Sequence, residues 1–156
     1  MNLPIKSLKL KSFIERHFSK RPEDESTIEH ELHLACAALM LEMIRVDDVI
    51  QENEQTKLLS IINKQCSLSK LEADELIDLA RDKMHNSTDY YQFTSLINKH
   101  YTQEQKRHLI KNLWDLALAD NVIDKYEEHL VRNLAELLHV PHSAFMQLKH
   151  KAQEST

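Results

Sequence analysis

The sequence contains no glycine in its 156 residues, and only three prolines, two cysteines and one tryptophan. Glycine supplies the positive φ angles of tight hairpin turns, so its absence disfavours folds rich in β-hairpins. A glycine-rich loop for phosphate groups is excluded as well. Helices joined by short corners of Asn, Asp or Ser tolerate the absence of glycine. The composition therefore predicts a single-domain all-α bundle.

The two cysteines, Cys36 and Cys66, are too few for a disulfide framework or a zinc knuckle. Cys36 lies in the apolar stretch LACAALML, where a thiol behaves as a small apolar side chain and is unreactive. Cys66 lies at a helix end, which predicts a more accessible thiol. Both are interpreted as reduced, which fits a cytoplasmic protein, and neither a signal peptide nor a membrane-spanning run is evident.

Charge is unevenly distributed along the chain. Residues 1–21 hold six basic residues and one acidic residue, a net charge of +5, and since the whole chain carries −5 the remainder carries −10. An acidic body repels phosphates, so nucleic acid is not a predicted partner. The ten histidines are scattered, without the three or four convergent ligands that a zinc site requires.

Residues 1–26 are predicted to form a basic amphipathic helix, at 5–18, followed by a polar linker, and the helical domain proper spans 27–156. The apolar positions of the first helix recur at helical spacing and are Leu10, Phe13, Ile14 and Phe18. In one interpretation the helix makes peripheral contact with anionic lipid, where each base contributes about 1 kcal/mol. In the other, which we favour, its apolar side docks on the body.

Helical periodicity predicts seven further helices, for a bundle of seven to eight. They lie at about 27–45, 52–65, 70–85, 89–100, from 103 through HLIKNLWDLALA, 125–138 and 142–153. Ser26 or Thr27 is the predicted cap of the first of these helices, Ser69 with Glu72 forms a capping box, and Thr102 pairs with Gln105. The first stretch, LACAALML, is apolar on all sides and is expected to be buried by neighbouring helices, and Trp114 is expected in the core.

The two halves of the chain repeat. Setting Asp47 against Asp120, an offset of 73, aligns MLEMIRVDDVIQENE with LWDLALADNVIDKYE, and Glu42 then meets Asp115. With one deletion, Leu68 meets Val140. Repeated units at about 32–85 and 105–153 are expected to stack, with the two long helices packed centrally and the acidic corners related by a pseudo-two-fold axis.

From Asp47 and from Asp120, the pattern D-[D/N]-V-I-x-x-x-E matches the second half of an EF-hand calcium loop. The first half fails, because that loop requires oxygen ligands at its first and third positions. Those positions hold no carboxylate in either copy and are Met43 and Arg45 in one, Leu116 and Leu118 in the other. A self-contained calcium loop is therefore excluded.

Two interpretations of the acidic corners remain, and capping is the favoured one. In it, Asp124 caps the next helix with Glu127 as its partner. In the other, weakly held Ca²⁺ or Mg²⁺ lies between the corners, with Glu42 and Asp115 as further partners unless Arg45 and Lys111 neutralise them. The candidate cation ligands are Asp47, Glu54, Asp120, Asp124 and Glu127.

The helix and corner ALMLEMIRVDDVIQENE, with its copy LWDLALADNVIDKYEE, resembles the TerB-like family of tellurite-resistance proteins over about residues 27–152. The family's signature is A-D-G-x-I-D-x-x-E at the end of a long helix. Asp48 and Asn121 stand in place of its glycine, and Gln51 stands where the second copy has Asp124. A similar fold occurs in the N-terminal domain of a membrane-anchored DnaJ-type co-chaperone.

This resemblance implies a non-catalytic bacterial binding or scaffold module with protein partners and a link to stress response near the membrane. It also implies metal chelation by the acidic corner positions. The alternative is a metal-independent interaction domain like that of the co-chaperone. No enzymatic activity is implied, and a hydrolase would require Glu42 or Asp115 in a deep polar pocket with a second carboxylate.

Overall fold

The computed structural model of the chain describes residues 5–18, 24–43, 60, 62–64, 66–81, 87–118 and 125–154. Its helices with defined bounds are α1 Ile5–His17, α2 Glu25–Glu42, α3 Lys70–Arg81, α4 Ser87–His100, α5 Gln103–Ala117, α6 Lys125–Leu137 and α7 His142–Glu154. Residues 60, 62–64 and 66 are helical too, and no residue in these ranges lies in a β-strand. The predicted all-α bundle is confirmed.

Helix α2 is enclosed by its neighbours, which explains its apolar surface. Every residue from Leu34 to Met43 is buried, and the helix packs against α3, α4 and α5. The two long helices α2 and α5 do touch, as the repeat predicts. Each nevertheless packs more extensively on another helix, α2 on α4 and α5 on α7. The centre of the bundle is therefore shared among four helices.

The cap of α2 differs from the prediction that Ser26 or Thr27 would supply it. Asp24, with φ −118° and ψ 153°, is the N-cap, and its Oδ1 accepts the Thr27 N–H at 2.7 Å and the Ser26 hydroxyl at 2.8 Å. The Thr27 N–H lowers the pKa of Asp24. A carboxylate accepts both donors at once and carries the charge that a helix N-terminus favours, so it prevails over a hydroxyl.

Both predicted capping boxes are present. Ser69 N–H donates to Glu72 Oε1 at 3.0 Å while Glu72 N–H donates to Ser69 Oγ at 3.2 Å. The same reciprocal pair joins Thr102 and Gln105, at 2.8 and 3.2 Å. Glu72 also binds His30 Nε2 at 2.6 Å, which ties the start of α3 to α2. The first turns of α3 and α5 are thus fixed by local sequence.

Two left-handed turns lie at positions that the sequence repeat aligns. Ser67 has φ 44° and His139 has φ 58°, the positive φ angles of the described chain. Each residue directly precedes a member of the aligned pair Leu68 and Val140, and both of these side chains are buried. The two turns therefore occupy equivalent positions and lead into equivalent helices, α3 and α7.

In each turn, the backbone N–H of the residue after the left-handed residue donates to an oxygen of the residue five positions earlier. Val140 N–H donates to the Ala135 carbonyl at 2.9 Å, as in a Schellman motif. In the first copy Leu68 N–H donates to the side-chain oxygen of Asn63 at 2.7 Å. Asn63 lies five residues before Leu68, as Ala135 does before Val140, so a side-chain oxygen accepts the bond in one turn and a backbone carbonyl in the other.

Replacing His139 by glycine is expected to raise the free energy of unfolding by about 0.5–1 kcal/mol. A left-handed conformation costs a residue with a Cβ roughly 1–2 kcal/mol, and glycine avoids this cost. Glycine also loses more conformational entropy on folding, which cancels about half of the stabilisation. Urea denaturation followed by Trp114 emission measures the change. His150→Gly within α7, where His150 is exposed, is the matched control and should destabilise by about 0.5–1 kcal/mol.

Helix α1 docks on the body through its apolar side. Phe13 is 2% exposed, and Ile14 and Phe18 pack partly buried against the core; the Leu10 side chain lies outside the described residues. The ring centroids of Phe13 and Phe18 lie 6.4 and 5.8 Å from that of Phe93 on α4. Across the described helices, none is both long and apolar enough to span a membrane.

Candidate functional site

Most of the predicted cation ligands fall outside the part of the chain that the structure describes. These are Asp47, Glu54, Asp120 and Asp124. The expected two-fold relation between the corners lies outside it as well. Helix α6 begins at Lys125, immediately after Asp124, which is the position that the capping interpretation requires. Glu127 is the one predicted ligand whose surroundings are described.

Glu127 lies in the first turn of α6 and is buried. A carboxylate at this position is favoured by the partial positive charge of the helix N-terminus. Its neighbour Glu128 faces outward, bonded to Lys149 at 2.8 Å with Arg132 at 3.9 Å. The Lys149 hydrogen bond lowers the pKa of Glu128. Glu127 is therefore a buried acid at the corner, whereas its neighbour Glu128 forms surface ion pairs.

Glu42 and Asp115, aligned by the repeat, lie in opposite environments. Glu42 is 1% exposed in α2, whereas the Asp115 side chain is 46% exposed and lies 3.5 Å from Lys111 in the predicted salt bridge. The difference follows from packing, because α2 is enclosed from Leu34 to Met43 whereas α5 keeps one side exposed. Within the described ranges, no group of three His, Cys, Asp or Glu side chains is placed to hold a metal ion.

A cavity of about 660 Å³ opens between α2 and α5, where the sequence had indicated no site. Three sulfur-containing side chains line it. Cys36 and Met40 lie on α2, and Cys66 belongs to the helical residues between α2 and α3. The Tyr101 hydroxyl lies 3.4 Å from Cys36 Sγ. Leu109 adds to the apolar wall. Cys36, Met40, Cys66 and Leu109 are all buried, so they expose little surface to the cavity.

The expectation that Cys66 would be the more accessible thiol is wrong. It is 3% exposed, against 6% for Cys36, because the left-handed turn at Ser67 returns Leu68 to the core and closes the chain over the helix end. Burial raises the pKa of Cys36 to about 11, with a partial offset from the Tyr101 hydroxyl. Burial and the neighbouring Cys36 raise the pKa of Cys66 to about 12.

Both thiols are expected to react slowly with Ellman's reagent in the native protein. The thiolate is the nucleophile, and a pKa of about 11 or 12 leaves at least roughly a hundredfold less of it at pH 8 than in a free cysteine of pKa about 8.5. The rate should rise about tenfold for each pH unit up to pH 10. The chain unfolded in guanidinium is the control, and native rates within tenfold of it would contradict the burial of both thiols.

The outer part of the cavity is polar and carries more basic than acidic residues. Arg107, His108 and Lys111 line it from one side of α5, and His33 lines it from α2. Glu104 is the acid among the described lining residues. The exposed and half-buried part of the described lining is therefore mostly polar.

Residues 33–150 match the family described as tellurite resistance protein TerB. The chain belongs to the TerB family. The matched range runs from the middle of α2 into α7 and includes both acidic corners, while α1 lies outside it. Comparison with curated proteins and with solved structures finds no match. The likeness to a co-chaperone domain stays a prediction.

In this TerB-family chain, residue spacing places several cavity-lining side chains on one face of a helix, although they form no recognised motif. His33, Cys36 and Met40 are spaced three and four apart and so share one face of α2. The same spacing places Glu104, His108 and Lys111 together on α5. The sequence does not predict which face of α2 packs against which face of α5, because this contact joins residues about seventy positions apart.

Proposed function

We infer that this TerB-family chain is a non-catalytic binding module that engages a protein partner in a stress response, and that its acidic corners bind Ca²⁺ or Mg²⁺ weakly. The single observation that carries the inference is the family match over residues 33–150, because it spans both corners. Hard carboxylate oxygens are the ligands that these two cations prefer. Waters would complete the coordination shell.

Glu127 supports the cation site. It lies three residues beyond Asp124, and its carboxylate is largely withdrawn from solvent at the edge of the corner. A cation is attracted more strongly by a partly buried carboxylate than by an exposed one, since the local dielectric constant is lower. The opposing consideration is that the described acids Glu72, Asp115 and Glu128 already serve caps and salt bridges.

Calorimetric titration with Ca²⁺ and with Mg²⁺ tests the cation site. We expect saturable binding with a Kd of roughly 10⁻⁴–10⁻³ M, the range of weak calcium modules. Asp120→Ala should abolish the heat and the rise in unfolding temperature that a bound ion produces. Asp74→Ala, which removes an exposed acid of α3, is the charge-matched control and should bind like the unaltered chain.

The second candidate is a metal-independent interaction domain, favoured by the structural use of Glu72, Asp115 and Glu128. Absence of heat and of any thermal shift at about 10 mM ion, well above the Kd range of weak sites, would leave this interpretation. In either case, burial of Glu42 within α2 and the salt bridge of Asp115 oppose a hydrolase, which would require one of them in an open polar pocket.

A cytoplasmic location is part of the proposal, and peripheral contact with anionic lipid through residues 5–18 is the alternative to the docking of α1 that we favour. The apolar side of α1 is occupied by the protein, and Arg16 binds Glu75 Oε1 at 2.8 Å. Lipid contact would therefore depend on the remaining bases of the segment, each contributing about 1 kcal/mol. Sedimentation with phosphatidylserine vesicles at two salt concentrations measures it, and binding that does not weaken at the higher salt would contradict an electrostatic contact.

A further inference from the structure

Helix α1 lies against α3 and α4, where it contacts Glu75 of α3 and Phe93 of α4. We call the faces of α3 and α4 that carry these two residues the docking surface. The family match covers α3 and α4 but not α1. Between Phe18 and Asp24, the N-cap of α2, lie five residues, SKRPE, without a large apolar side chain. Helix α1 is therefore joined to the rest of the chain by a short polar segment.

The apolar part of the contact consists of a few side chains near the end of α1. Among residues 11–18, Phe13 is buried, whereas Ile14 and Phe18 are half-buried. The rings of Phe13 and Phe18 both lie against that of Phe93, which is itself fully buried. Protein surfaces recognise amphipathic helices of other chains in this way, through a few apolar anchors in a groove. The contact therefore has the form of a helix-recognition site.

Glu75 provides the polar part of the contact and uses both of its carboxylate oxygens for α1. Its Oε1 accepts a hydrogen bond from Arg16 Nη1 at 2.8 Å, and its Oε2 contacts His17 Nε2. A carboxylate and a guanidinium form a charge-assisted hydrogen bond, which is stronger than a neutral one. Helix α3 carries four acidic and two basic residues, whereas residues 1–21 carry a net charge of +5. The docking surface and α1 are therefore complementary in charge.

The same contacts can form between two copies of the chain, because α1 of a second copy has the same anchors and the same bases. A second copy is also the partner whose fit to the docking surface the structure displays directly. We propose that the docking surface accepts α1 of a second copy, so that two chains associate by reciprocal exchange of this helix. Each chain then gives one helix and receives one, which makes the dimer closed and two-fold symmetric.

The attachment of α1 to its own chain sets the concentration at which exchange occurs. A short connection gives the attached helix an effective concentration on the order of 1 mM at its own docking surface. A second copy competes with it only as the protein concentration approaches that value. We therefore expect the unaltered chain to be monomeric at about 10 μM and to form the dimer at about 1 mM.

An exchange of charge across the contact tests the proposal with full-length chains. Arg16→Glu and Glu75→Arg each place like charges at the docking surface of their own chain. In a mixture of the two variants, exchange of α1 restores opposite charges at both docking surfaces. By sedimentation equilibrium, we expect the mixture to associate at least tenfold more tightly than either variant alone. A mixture no more dimeric than its separate components would overturn the proposal.

Two controls accompany this mixture. The double variant Arg16→Glu/Glu75→Arg restores opposite charges within one chain, so it should be monomeric at the concentration at which the mixture associates. Arg107→Glu mixed with Glu136→Arg makes the same changes of charge at exposed positions outside α1 and α3, and this mixture should associate no more than the unaltered chain. Equal association of the two mixtures would reduce the effect to general electrostatics and overturn the exchange.

A fluorescent peptide of residues 5–18 tests whether the docking surface accepts α1 from another molecule. Phe13→Ala weakens the chain's own α1 and leaves Phe93 and Glu75 in place. We expect this variant to bind the peptide at least tenfold more tightly than the unaltered chain does, and to bind a peptide carrying Phe13→Ala at least tenfold more weakly. Should the variant unfold, Arg16→Glu is the milder change, with an expected gain of at least threefold. Equal affinity of the altered and unaltered chains would place the peptide elsewhere and overturn the proposal.

The two experiments together separate a second copy from other partners. Peptide binding without association of the charge-exchanged mixture would indicate a docking surface for the helix of a different protein, and would overturn the exchange between copies. Neither experiment measures cation binding, so failure of the exchange leaves the calorimetric titration with Ca²⁺ to be decided by its own result.

Discussion

Replacing Phe93 by alanine should lower the free energy of unfolding by about 3–5 kcal/mol. The Phe93 ring is fully buried in α4 and has Phe13 and Phe18 of the N-terminal segment as ring neighbours. Removing it leaves a cavity at the point where α1, α4 and the rest of the bundle meet, and the loss of dispersion contacts adds to the lost hydrophobic burial. Urea denaturation followed by the emission of Trp114 measures it.

Tyr91 of the same helix is the control, because its side chain is 63% exposed. Tyr91→Ala should change the free energy of unfolding by no more than about 0.5 kcal/mol. A loss below about 1 kcal/mol for Phe93→Ala would indicate that α1 does not share a core with the bundle. That result would also weaken the docking interpretation of α1 and favour a helix free to bind lipid.

Local sequence was sufficient for the helices and most of their starts. The amphipathic spacing that predicts a helix depends on residues three and four apart, which the chain order contains directly. The capping boxes at Ser69 and Thr102 are local in the same sense. The cap of α2 was missed because three residues within four positions, Asp24, Ser26 and Thr27, are all competent caps. The choice among them depends on where the preceding linker turns.

Environments were harder to predict than elements. The repeat aligns Glu42 with Asp115, yet one is buried and the other is exposed. Equivalent positions on α2 and α5 differ because α3, α4 and α5 surround α2, whereas α5 keeps one side open. The turns at Ser67 and His139 are set by local backbone and fall at aligned positions of the repeat, whereas the burial of side chains is set by the other half of the molecule.

The candidate sites differ in the same way. The acidic corners were recognisable because their residues are contiguous, and the family match spans them. The cavity between α2 and α5 is built from two helix faces and from Cys66 and Tyr101, which the chain brings together only on folding.

Replacing Trp114 by alanine is expected to lower the free energy of unfolding by about 3–5 kcal/mol. Trp114 is fully buried in α5, its ring centroid lies 5.2 Å from that of Phe145 on α7, and Lys149 Nζ lies 5.8 Å from it. Helices α5 and α7 are each other's closest partners in this part of the bundle. Because the substitution removes the only tryptophan, circular dichroism at 222 nm is the measurement.

Trp114→Phe separates packing from polarity. The indole Nε1 is buried without a hydrogen-bond acceptor among the described residues, and a buried donor left unsatisfied costs about 1–3 kcal/mol. Phenylalanine removes that donor while keeping the ring against Phe145, so the loss should be no more than about 1.5 kcal/mol. If Trp114→Phe were as damaging as Trp114→Ala, the indole N–H would have to be engaged by a group outside the described residues.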